Sequence, residues 1–319
     1  MRASTARSIA KYLILLVLLA GIALSQACNV VRWHRASVTE HFHELGLASK
    51  VVRLDSGKMH LFEGGWGAPV LLIHGFGMGA LETWEKQADA FVDRFHLLAP
   101  DLFWFGESLP TDKAGMTSAA EQADAMAELL RVADIEKAHV VGVSFGGFVA
   151  LQLALRHPEV VDRLVLVDAA GLEPTGEERA TVRANFDGID DICQMIIPRD
   201  AETLRSFLNK LFYKPRFLPS LVVRQLLEDE FWKNKEAKER ICRKLTRGGM
   251  LGPGDLGAVR VPTLLLWGRH DPLLPPSIGE RMARAIPGAR LVFLAESGHP
   301  PMVEEPERFN QVVLDFLSR

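Results

Sequence analysis

The chain has 319 residues, of which 48% are hydrophobic, so it is long enough to bury one large core and to carry an inserted subdomain. Its 37 Lys and Arg residues nearly balance 40 Asp and Glu residues, and the formal net charge is −3. Because no basic stripe stands out, the composition argues against a nucleic-acid partner.

An apolar run of 12 residues, 13–24, follows Arg2, Arg7 and Lys11. A basic segment, a short apolar run and small residues before a break are typical of a secretory signal. The following stretch, Leu-Ser-Gln-Ala-Cys, resembles a bacterial lipobox, in which the cysteine is acylated. The sequence therefore predicts a membrane-associated, extracytoplasmic lipoprotein modified at Cys28. An uncleaved N-terminal anchor, simple secretion and a cytosolic N-terminus are the alternatives.

From residue 50 onwards, apolar runs alternate with helical patterns. The predicted strands are 50–55, 58–63, 70–73, 95–100, 139–143, 161–168, 263–267 and 290–294. The predicted helices are 83–91, 118–132, 146–157, 276–286 and 306–317. Strands that are apolar on both faces and separated by helices indicate an α/β fold, with a mostly parallel sheet covered on both sides.

The alternation of predicted strands and helices is interrupted at residues 171–255, which contain no convincing strand. Leu204, Phe207, Leu208, Leu211 and Phe212 have helical spacing and predict an amphipathic helix that faces either a pocket or the core. The chain is thus predicted to divide into a signal or anchor segment (1–28), a linker or leading helix (29–47), an α/β core (48–170 and 256–319) and a helical cap (171–255).

Two further cysteines, Cys193 and Cys242, lie 49 residues apart in the predicted cap. They have no spacing signature of a disulfide framework, and unpaired cysteines are among the most frequently buried residues. The sequence favours two buried thiols, with a disulfide as the alternative in an oxidising compartment.

The segment Gly142–Gly146 has the pattern Gly-Val-Ser-Phe-Gly and lies between a predicted strand and a predicted helix. This is the setting of a nucleophile elbow, in which the serine occupies a strained turn and its neighbours must lack side chains. The pattern predicts Ser144 as a nucleophile, whereas a plain glycine-rich turn is the structural alternative.

A serine nucleophile needs a base, and the imidazole base needs a carboxylate that fixes its tautomer. His299 and Asp271 both lie in loops that follow predicted parallel strands, so they are expected at the same sheet edge as Ser144. The order Ser, Asp, His is the one associated with nucleophile elbows of this kind. We therefore predict His299 as the general base and Asp271 as its carboxylate, with Asp168 as the rival acid.

Acyl transfer also requires donors for a developing oxyanion. The segment His74–Gly77 follows the first buried strand, and its glycines allow backbone amides to turn towards the site. We predict the amides of Phe76 and Phe145 as these donors and assign His74 a structural hydrogen-bonding role.

Together, these segments and the segments around Asp101, Gly106 and Trp267 resemble the α/β-hydrolase superfamily over residues 50–317. The cap is similar to that of membrane-anchored monoacylglycerol lipases and related bacterial lipases. The resemblance implies the α/β-hydrolase fold with an inserted helical cap, a serine carboxylic ester hydrolase, and neither a metal nor an organic cofactor. The expected partners are a small-molecule ester or lipid and, through the N-terminal segment, a membrane.

The sequence departs from the family at Phe103 and Trp104, where Pro and Gly are usual. These aromatic side chains either pack in the core or narrow the acyl pocket, and Phe212 of the cap is a further candidate substrate contact. Alternative functions with the same triad are a hydrolase of carbon–carbon bonds in ring-fission products and a proline-type aminopeptidase. A ligand receptor on the same fold is the alternative that is not an enzyme.

Overall fold

The computed structural model describes residues 29–247 and 249–319. The segment 1–28, including the predicted lipidation site Cys28, lies outside the described residues. None of the helices in the described part of the chain combines the length and the apolar character that a membrane span requires.

The described chain forms a sheet of nine strands, ordered β1-β2-β4-β3-β6-β7-β8-β9, with β5 paired to β2. The strands are β1 (Ala48–Arg53), β2 (Gly57–Gly65), β3 (Ala68–Ile73), β4 (Phe95–Pro100), β5 (Leu109–Pro110), β6 (Ala138–Val143), β7 (Val161–Val167), β8 (Thr263–Gly268) and β9 (Arg290–Leu294). The pairs of β1 and β5 with β2 are antiparallel, as is the pair of β2 with β4, and all the pairs from β4 to β9 are parallel.

Helices cover both faces of this sheet, and several more form the insertion between β7 and β8. Before β7 the helices are α1 (Val30–Glu44), α2 (Ala80–Trp84), α3 (Ala88–Val92), α4 (Ala119–Val132) and α5 (Phe145–Arg156). The insertion holds α6 (Gly176–Asn185), α7 (Ile192–Ile196), α8 (Ala201–Leu211), α9 (Ser220–Leu226), a π-helix (Leu227–Phe231), α10 (Lys235–Thr246) and α11 (Pro253–Leu256). The last helices are α12 (Pro276–Ala285), α13 (Pro301–Glu304) and α14 (Pro306–Leu317).

The buried strands divide their side chains between two hydrophobic cores. On β3, Leu71 and Ile73 belong to the core beneath α4 and α5, whereas Val70 and Leu72 belong to the core beneath α3 and α14. Successive side chains of a strand point to opposite faces, so a continuous apolar run supplies both layers. The predicted α/β-hydrolase architecture, with a mostly parallel sheet between helical layers, is confirmed.

The segment 29–47, predicted as a linker or a leading helix, forms α1. This helix is joined to the insertion by polar contacts, because Asn29 and Arg32 both donate hydrogen bonds to Asp229, at 2.7 and 2.8 Å. Arg35 forms ion pairs with Glu82 of the core and with Glu230 of the insertion. The helix therefore links the start of the described chain to the cap as well as to the core.

One predicted helix, 83–91, is wrong in its extent, because the chain forms the two short helices α2 and α3 instead. Gln87 lies between them, and its buried amide donates hydrogen bonds to Met302 and Asn310 near the C-terminal end of the chain. This long-range contact fixes the break, and helical spacing in the sequence does not reveal it.

The amphipathic stripe of the cap turns out to be structural. Leu204 and Leu208 pack in a small core of the cap, whereas Phe207 and Leu211 pack in the large core beneath α4 and α5. The helix ends at Leu211, so Phe212 leaves the stripe with an extended backbone (φ −89°, ψ 139°).

Cys193 and Cys242 form a disulfide, so the favoured prediction of two buried thiols is wrong. Packing of α7 against α10 brings their Cα atoms to 5.8 Å, within the usual range for a disulfide. Residues 49 apart in sequence give no hint of this contact, since only the packing of the cap helices creates it.

We expect replacement of both cysteines by serine to lower the free energy of unfolding. For a closed loop of 49 residues, the chain-entropy model gives a loss of about 4 kcal/mol. Urea unfolding of the parent and the double variant measures the difference, and addition of a reductant should bring the parent to the variant's midpoint. Two titratable thiols in the folded parent, with equal midpoints, would show that the cysteines are unpaired.

Candidate active site

Ser144 lies at the turn between β6 and α5, with φ 54° and ψ −118°. Positive φ is unfavourable for a residue with a side chain, so the turn is strained and holds the serine in one orientation. A Cβ on Gly142 would lie 2.3 Å from the carbonyl oxygen of Gly146, and one on Gly146 would lie 2.2 Å from that of His74. The flanking glycines are therefore required by close backbone approach, as the sequence pattern predicts.

The structure brings the three predicted side chains Ser144, His299 and Asp271 together. The Ser144 hydroxyl lies 3.0 Å from His299 Nε2, and His299 Nδ1 lies 2.8 Å from Asp271 Oδ2. With Nδ1 donating to the carboxylate, Nε2 is free to accept the serine proton. Asp271 is fully shielded from solvent at its side chain, and His299 is nearly so. This chain of hydrogen bonds connects loops that follow β6, β8 and β9.

Backbone amides fix Asp271 in place. Its Oδ1 accepts hydrogen bonds from the amides of Leu273 and Leu274, at 2.8 and 2.9 Å. Its second oxygen, Oδ2, is left for His299. Both oxygens of this buried carboxylate thus have hydrogen-bond donors, as a buried polar group requires.

Asp168, the rival acid, follows β7 beside this group and does not contact His299. Its Oδ1 accepts a hydrogen bond from the Gly268 amide at 2.9 Å, and its Oδ2 is buried without a donor among the described residues. Burial, reinforced by the neighbouring Asp271 carboxylate, raises the pKa of Asp168 well above its usual value. The raised pKa favours the protonated form of Asp168 beside Asp271.

The loop that carries His299 is held by two glutamates that the sequence reasoning missed. Glu304 accepts a hydrogen bond from the Gly298 amide at 2.6 Å, and Glu305 accepts one from the Ser297 hydroxyl at 2.7 Å. The His299 amide donates to the carbonyl of Leu211 in the cap, at 2.8 Å. An acidic pair five and six residues after the histidine is the signal in the sequence that points to this support.

The amides of Phe76 and Phe145, predicted as oxyanion donors, lie in the loop after β3 and at the start of α5. Within the ranges that the structure describes, neither amide donates a hydrogen bond to another protein group. The rings of the two residues pack edge-to-face, with centroids 6.0 Å apart, and Phe105 packs against both. This aromatic cluster holds the two amide-bearing segments next to each other.

His74 has the structural role that we predicted for it. Its Nδ1 donates to the Gly75 carbonyl at 2.7 Å, and its Nε2 accepts a hydrogen bond from the Leu102 amide at 2.9 Å. Burial lowers the pKa of this imidazole, which favours the neutral form that both hydrogen bonds require. His74 thereby joins the Phe76 loop to the loop that follows β4.

The three residues predicted as candidate substrate contacts each pack against other groups of the protein. Phe103 is completely buried, and its ring lies against Gly57 of β2. Trp104 donates from Nε1 to the Gly115 carbonyl at 3.0 Å. Phe212 is half-buried, with the Arg216 guanidinium 5.3 Å from its ring centroid. The complete burial of Phe103 agrees with the alternative of core packing, and a substrate role for Trp104 and Phe212 stays a prediction.

Phe231 of the cap packs against the loop that follows β3 and carries the Phe76 amide. A Cβ on Gly77 would lie 3.2 Å from the Phe231 ring, and the positive φ of Gly77, 110°, also favours glycine there. The adjacent Glu230 is buried, and that burial raises its pKa to about 7. Burial lowers the pKa of neighbouring Lys238 to about 8. Glu230 and Lys238 are thus two buried ionisable groups of the cap in the region of Phe231.

No group of three His, Cys, Asp or Glu side chains in the described ranges has the geometry to hold a metal ion. The groups that the site does bring together are a serine, a histidine, an aspartate and two backbone amides, which are the types of group that acyl transfer uses.

Comparison with known proteins agrees with this arrangement. A family model described as "alpha/beta hydrolase fold" matches residues 68–306. The chain is 29% identical to "Lipase 1" of Psychrobacter immobilis, over 89% of this chain and 86% of the relative. It is 28% identical to "2-hydroxy-6-oxononadienedioate/2-hydroxy-6-oxononatrienedioate hydrolase" of a Pseudomonas species, over 83% of this chain and 93% of the relative.

A solved structure described as a "membrane phospholipase A, a novel bacterial virulence factor" is similar to this chain, with a TM-score of 0.78 and 30% identity. That match covers 97% of this chain and 98% of the phospholipase. A lipase, a phospholipase and a 2-hydroxy-6-oxononadienedioate/2-hydroxy-6-oxononatrienedioate hydrolase are thus all similar to this chain. The family match covers well over half of the chain and includes the elbow and both loops of the triad, and the chain belongs to the α/β-hydrolase fold family.

Proposed function

We propose that the protein is a serine carboxylic ester hydrolase that acts on monoacylglycerol-like or short-to-medium acyl esters. The observation that carries the proposal is the hydrogen-bonded chain from Ser144 through His299 to Asp271, with distances of 3.0 and 2.8 Å. The amides of Phe76 and Phe145 donate no hydrogen bond within the described ranges, so they can donate to a developing oxyanion.

The reaction proceeds in two halves. The Ser144 oxygen attacks the ester carbonyl carbon while its proton passes to His299 Nε2, and the carbonyl oxygen becomes an oxyanion held by the two amides. Collapse of this intermediate breaks the ester bond, and His299 returns the proton to the leaving alcohol. Water then attacks the acyl-enzyme, again giving its proton to His299, and the acid is released as Ser144 regains its proton.

The similarity to lipases and to a membrane phospholipase supports ester substrates, and the phospholipase match extends over almost the whole chain. A carbon–carbon hydrolase is the second candidate, because relatives with that reaction are about as similar. A proline-type aminopeptidase and a ligand receptor on this fold are the remaining alternatives.

A substrate panel separates these candidates. It consists of 4-nitrophenyl esters of graded chain length, a monoacylglycerol, a ring-fission diketone and a prolyl amide. We expect kcat/KM on the best ester to exceed that on the diketone and the amide by about a hundredfold or more. Faster cleavage of the diketone would assign the second candidate function, and no turnover of any compound would favour the receptor.

We also propose that the protein is held at a membrane outside the cytosol, with Cys28 lipidated. The pattern of the first 28 residues supports this proposal, and the disulfide of the cap is typical of proteins in oxidising compartments. Mass spectrometry of the N-terminal peptide from the membrane fraction tests it. We expect an acylated Cys28, whereas a peptide starting at Met1 would indicate an uncleaved anchor, and an unlipidated start near Cys28 would indicate secretion.

A further inference from the structure

A cavity of about 540 Å³ lies beside the proposed active site, between α10 of the cap and the start of α4. Phe145 and Phe148 of α5 form part of its lining. Phe145 directly follows Ser144 in the chain, so the residue next to the proposed nucleophile forms part of the cavity wall.

The lining of this cavity is strongly basic. Arg240, Arg243, Lys244 and Arg247 all contribute to it, and within the described residues no carboxylate lines it. A concave surface with charges of one sign concentrates the electrostatic potential and attracts ligands of the opposite sign. The whole chain has a net charge of −3, so this concentration of positive charge is a local feature and not a consequence of composition.

Two of the four cations are only loosely neutralised by neighbouring carboxylates. Lys244 lies 3.4 Å from a carboxylate oxygen of Glu121, and Arg243 lies 3.6 Å from one of Glu239. These side chains are all more than a third exposed, where ion pairs are weak and easily exchanged for a ligand.

The other two cations have no carboxylate partner in the described chain. Arg240 donates to the Lys113 carbonyl at 3.0 Å and lies over the Trp104 ring, yet its Nε is buried without an acceptor among the described residues. Arg247 is exposed and takes part in none of the described ion pairs. Since no carboxylate of the described chain pairs with these two arginines, their positive charge is available to a ligand in the cavity.

The wall opposite α10 is the N-terminal end of α4, where Thr117, Ser118 and Ala119 line the cavity. The Glu121 carboxylate already accepts hydrogen bonds there from the Thr117 amide and the Ser118 hydroxyl, at 3.0 and 2.7 Å. The positive charge offered to a ligand therefore comes from the side chains of α10 and of Arg247, and this wall supplies polar groups.

From this geometry we infer that the cavity binds an anionic group of the substrate, a carboxylate or a phosphate, while the ester carbonyl lies at Ser144. The inference rests on the proposed ester hydrolase function and narrows its substrate class to acyl esters with a negative charge. The apolar residues Phe145 and Phe148 would contact the carbon chain that leads from the ester to the charged group.

Two matched substrate pairs test the inference. The 4-nitrophenyl half-ester of adipic acid is compared with 4-nitrophenyl hexanoate, and an acylglycerol phosphate is compared with the monoacylglycerol of the same chain length. We expect the anionic member of at least one pair to be preferred, with a preference that falls at high salt because the attraction is screened. The pair that shows the preference identifies the anion as a carboxylate or a phosphate.

The Arg247→Gln variant should reduce the ratio of anionic to neutral kcat/KM by about tenfold, the loss expected for a charged hydrogen bond. Arg247→Lys should restore part of it, and Arg243→Gln should act in the same direction. Arg224→Gln is the matched control, because Arg224 is an exposed arginine of the cap that does not line the cavity.

An unchanged ratio in the arginine variants, or a lowered melting temperature without a change in ratio, would overturn the inference. The cations would then only stabilise the C-terminal end of α10. If the protein hydrolyses neutral esters and shows no preference for anionic ones, the inference about the cavity fails and the proposed function stands. If no ester is hydrolysed at all, the proposed function itself fails.

Discussion

Replacement of Ser144 by alanine is expected to lower kcat on esters by about a millionfold, the loss seen when a triad that acts as a unit is disabled. Without the hydroxyl, no acyl-enzyme forms, although His299, Asp271 and the two amides remain in place. The expected result follows from the 3.0 Å contact between the Ser144 hydroxyl and His299. Initial rates on the best 4-nitrophenyl ester measure it.

The control is Ser206→Ala, a matched change at an exposed serine of α8. It should retain the parent's rate. Both variants should have melting temperatures close to the parent's, because alanine keeps the Cβ that the Ser144 turn already accommodates. If Ser144→Ala retains more than about a tenth of the parent's activity, the nucleophile has been assigned to the wrong residue.

The second large effect is expected at Asp271. Its Oδ2 accepts the His299 Nδ1 proton, whereas an asparagine amide at that position would donate and hold the imidazole in the wrong tautomer. In another triad hydrolase this change costs about ten-thousandfold in kcat, and we expect a loss of that order for Asp271→Asn.

Asp168→Asn is the matched comparison, since the two carboxyl groups are neighbours and both are buried. Burial raises the pKa of Asp168 and so favours its protonated form, which an asparagine amide resembles in shape and charge. We expect Asp168→Asn to keep the rate within about tenfold of the parent's. Greater damage from Asp168→Asn than from Asp271→Asn would move the acid role to Asp168.

The stability of the Asp168→Asn variant should also depend on pH in a defined direction. In the unfolded chain Asp168 ionises near its ordinary pKa, whereas in the folded chain it stays protonated to a higher pH. The parent therefore loses stability as the pH rises above the ordinary aspartate pKa, and asparagine removes that loss. The variant should gain stability relative to the parent at neutral pH, and the gap should close as the pH falls towards 4.

Much of this site could be predicted from the sequence because its chemistry is tied to local patterns. Strands β4 and β9 have the predicted bounds, because an apolar run in the sequence marks each strand and turn residues mark its ends. Ser144 is recognisable because the turn requires glycines at 142 and 146. His299 and Asp271 follow strands, and the topology of a parallel sheet places such loops at one edge.

The features that were missed depend on contacts between distant segments. The Cys193–Cys242 disulfide exists because α7 packs against α10, and the break at Gln87 exists because its amide reaches Met302 and Asn310. The raised pKa of Asp168 likewise follows from its burial beside Asp271. Neither the spacing nor the type of residues in the sequence indicates which distant segments come into contact.

Covalent labelling shows whether Ser144 is the nucleophile that carries the acyl group. The purified protein is treated with a fluorophosphonate, digested and analysed by mass spectrometry. We expect one adduct, on the peptide that contains Ser144, with ester hydrolysis lost as the adduct forms, and neither labelling nor hydrolysis in Ser144→Ala. An adduct on another residue, or full ester hydrolysis by protein that takes no label, would show that Ser144 is not the nucleophile.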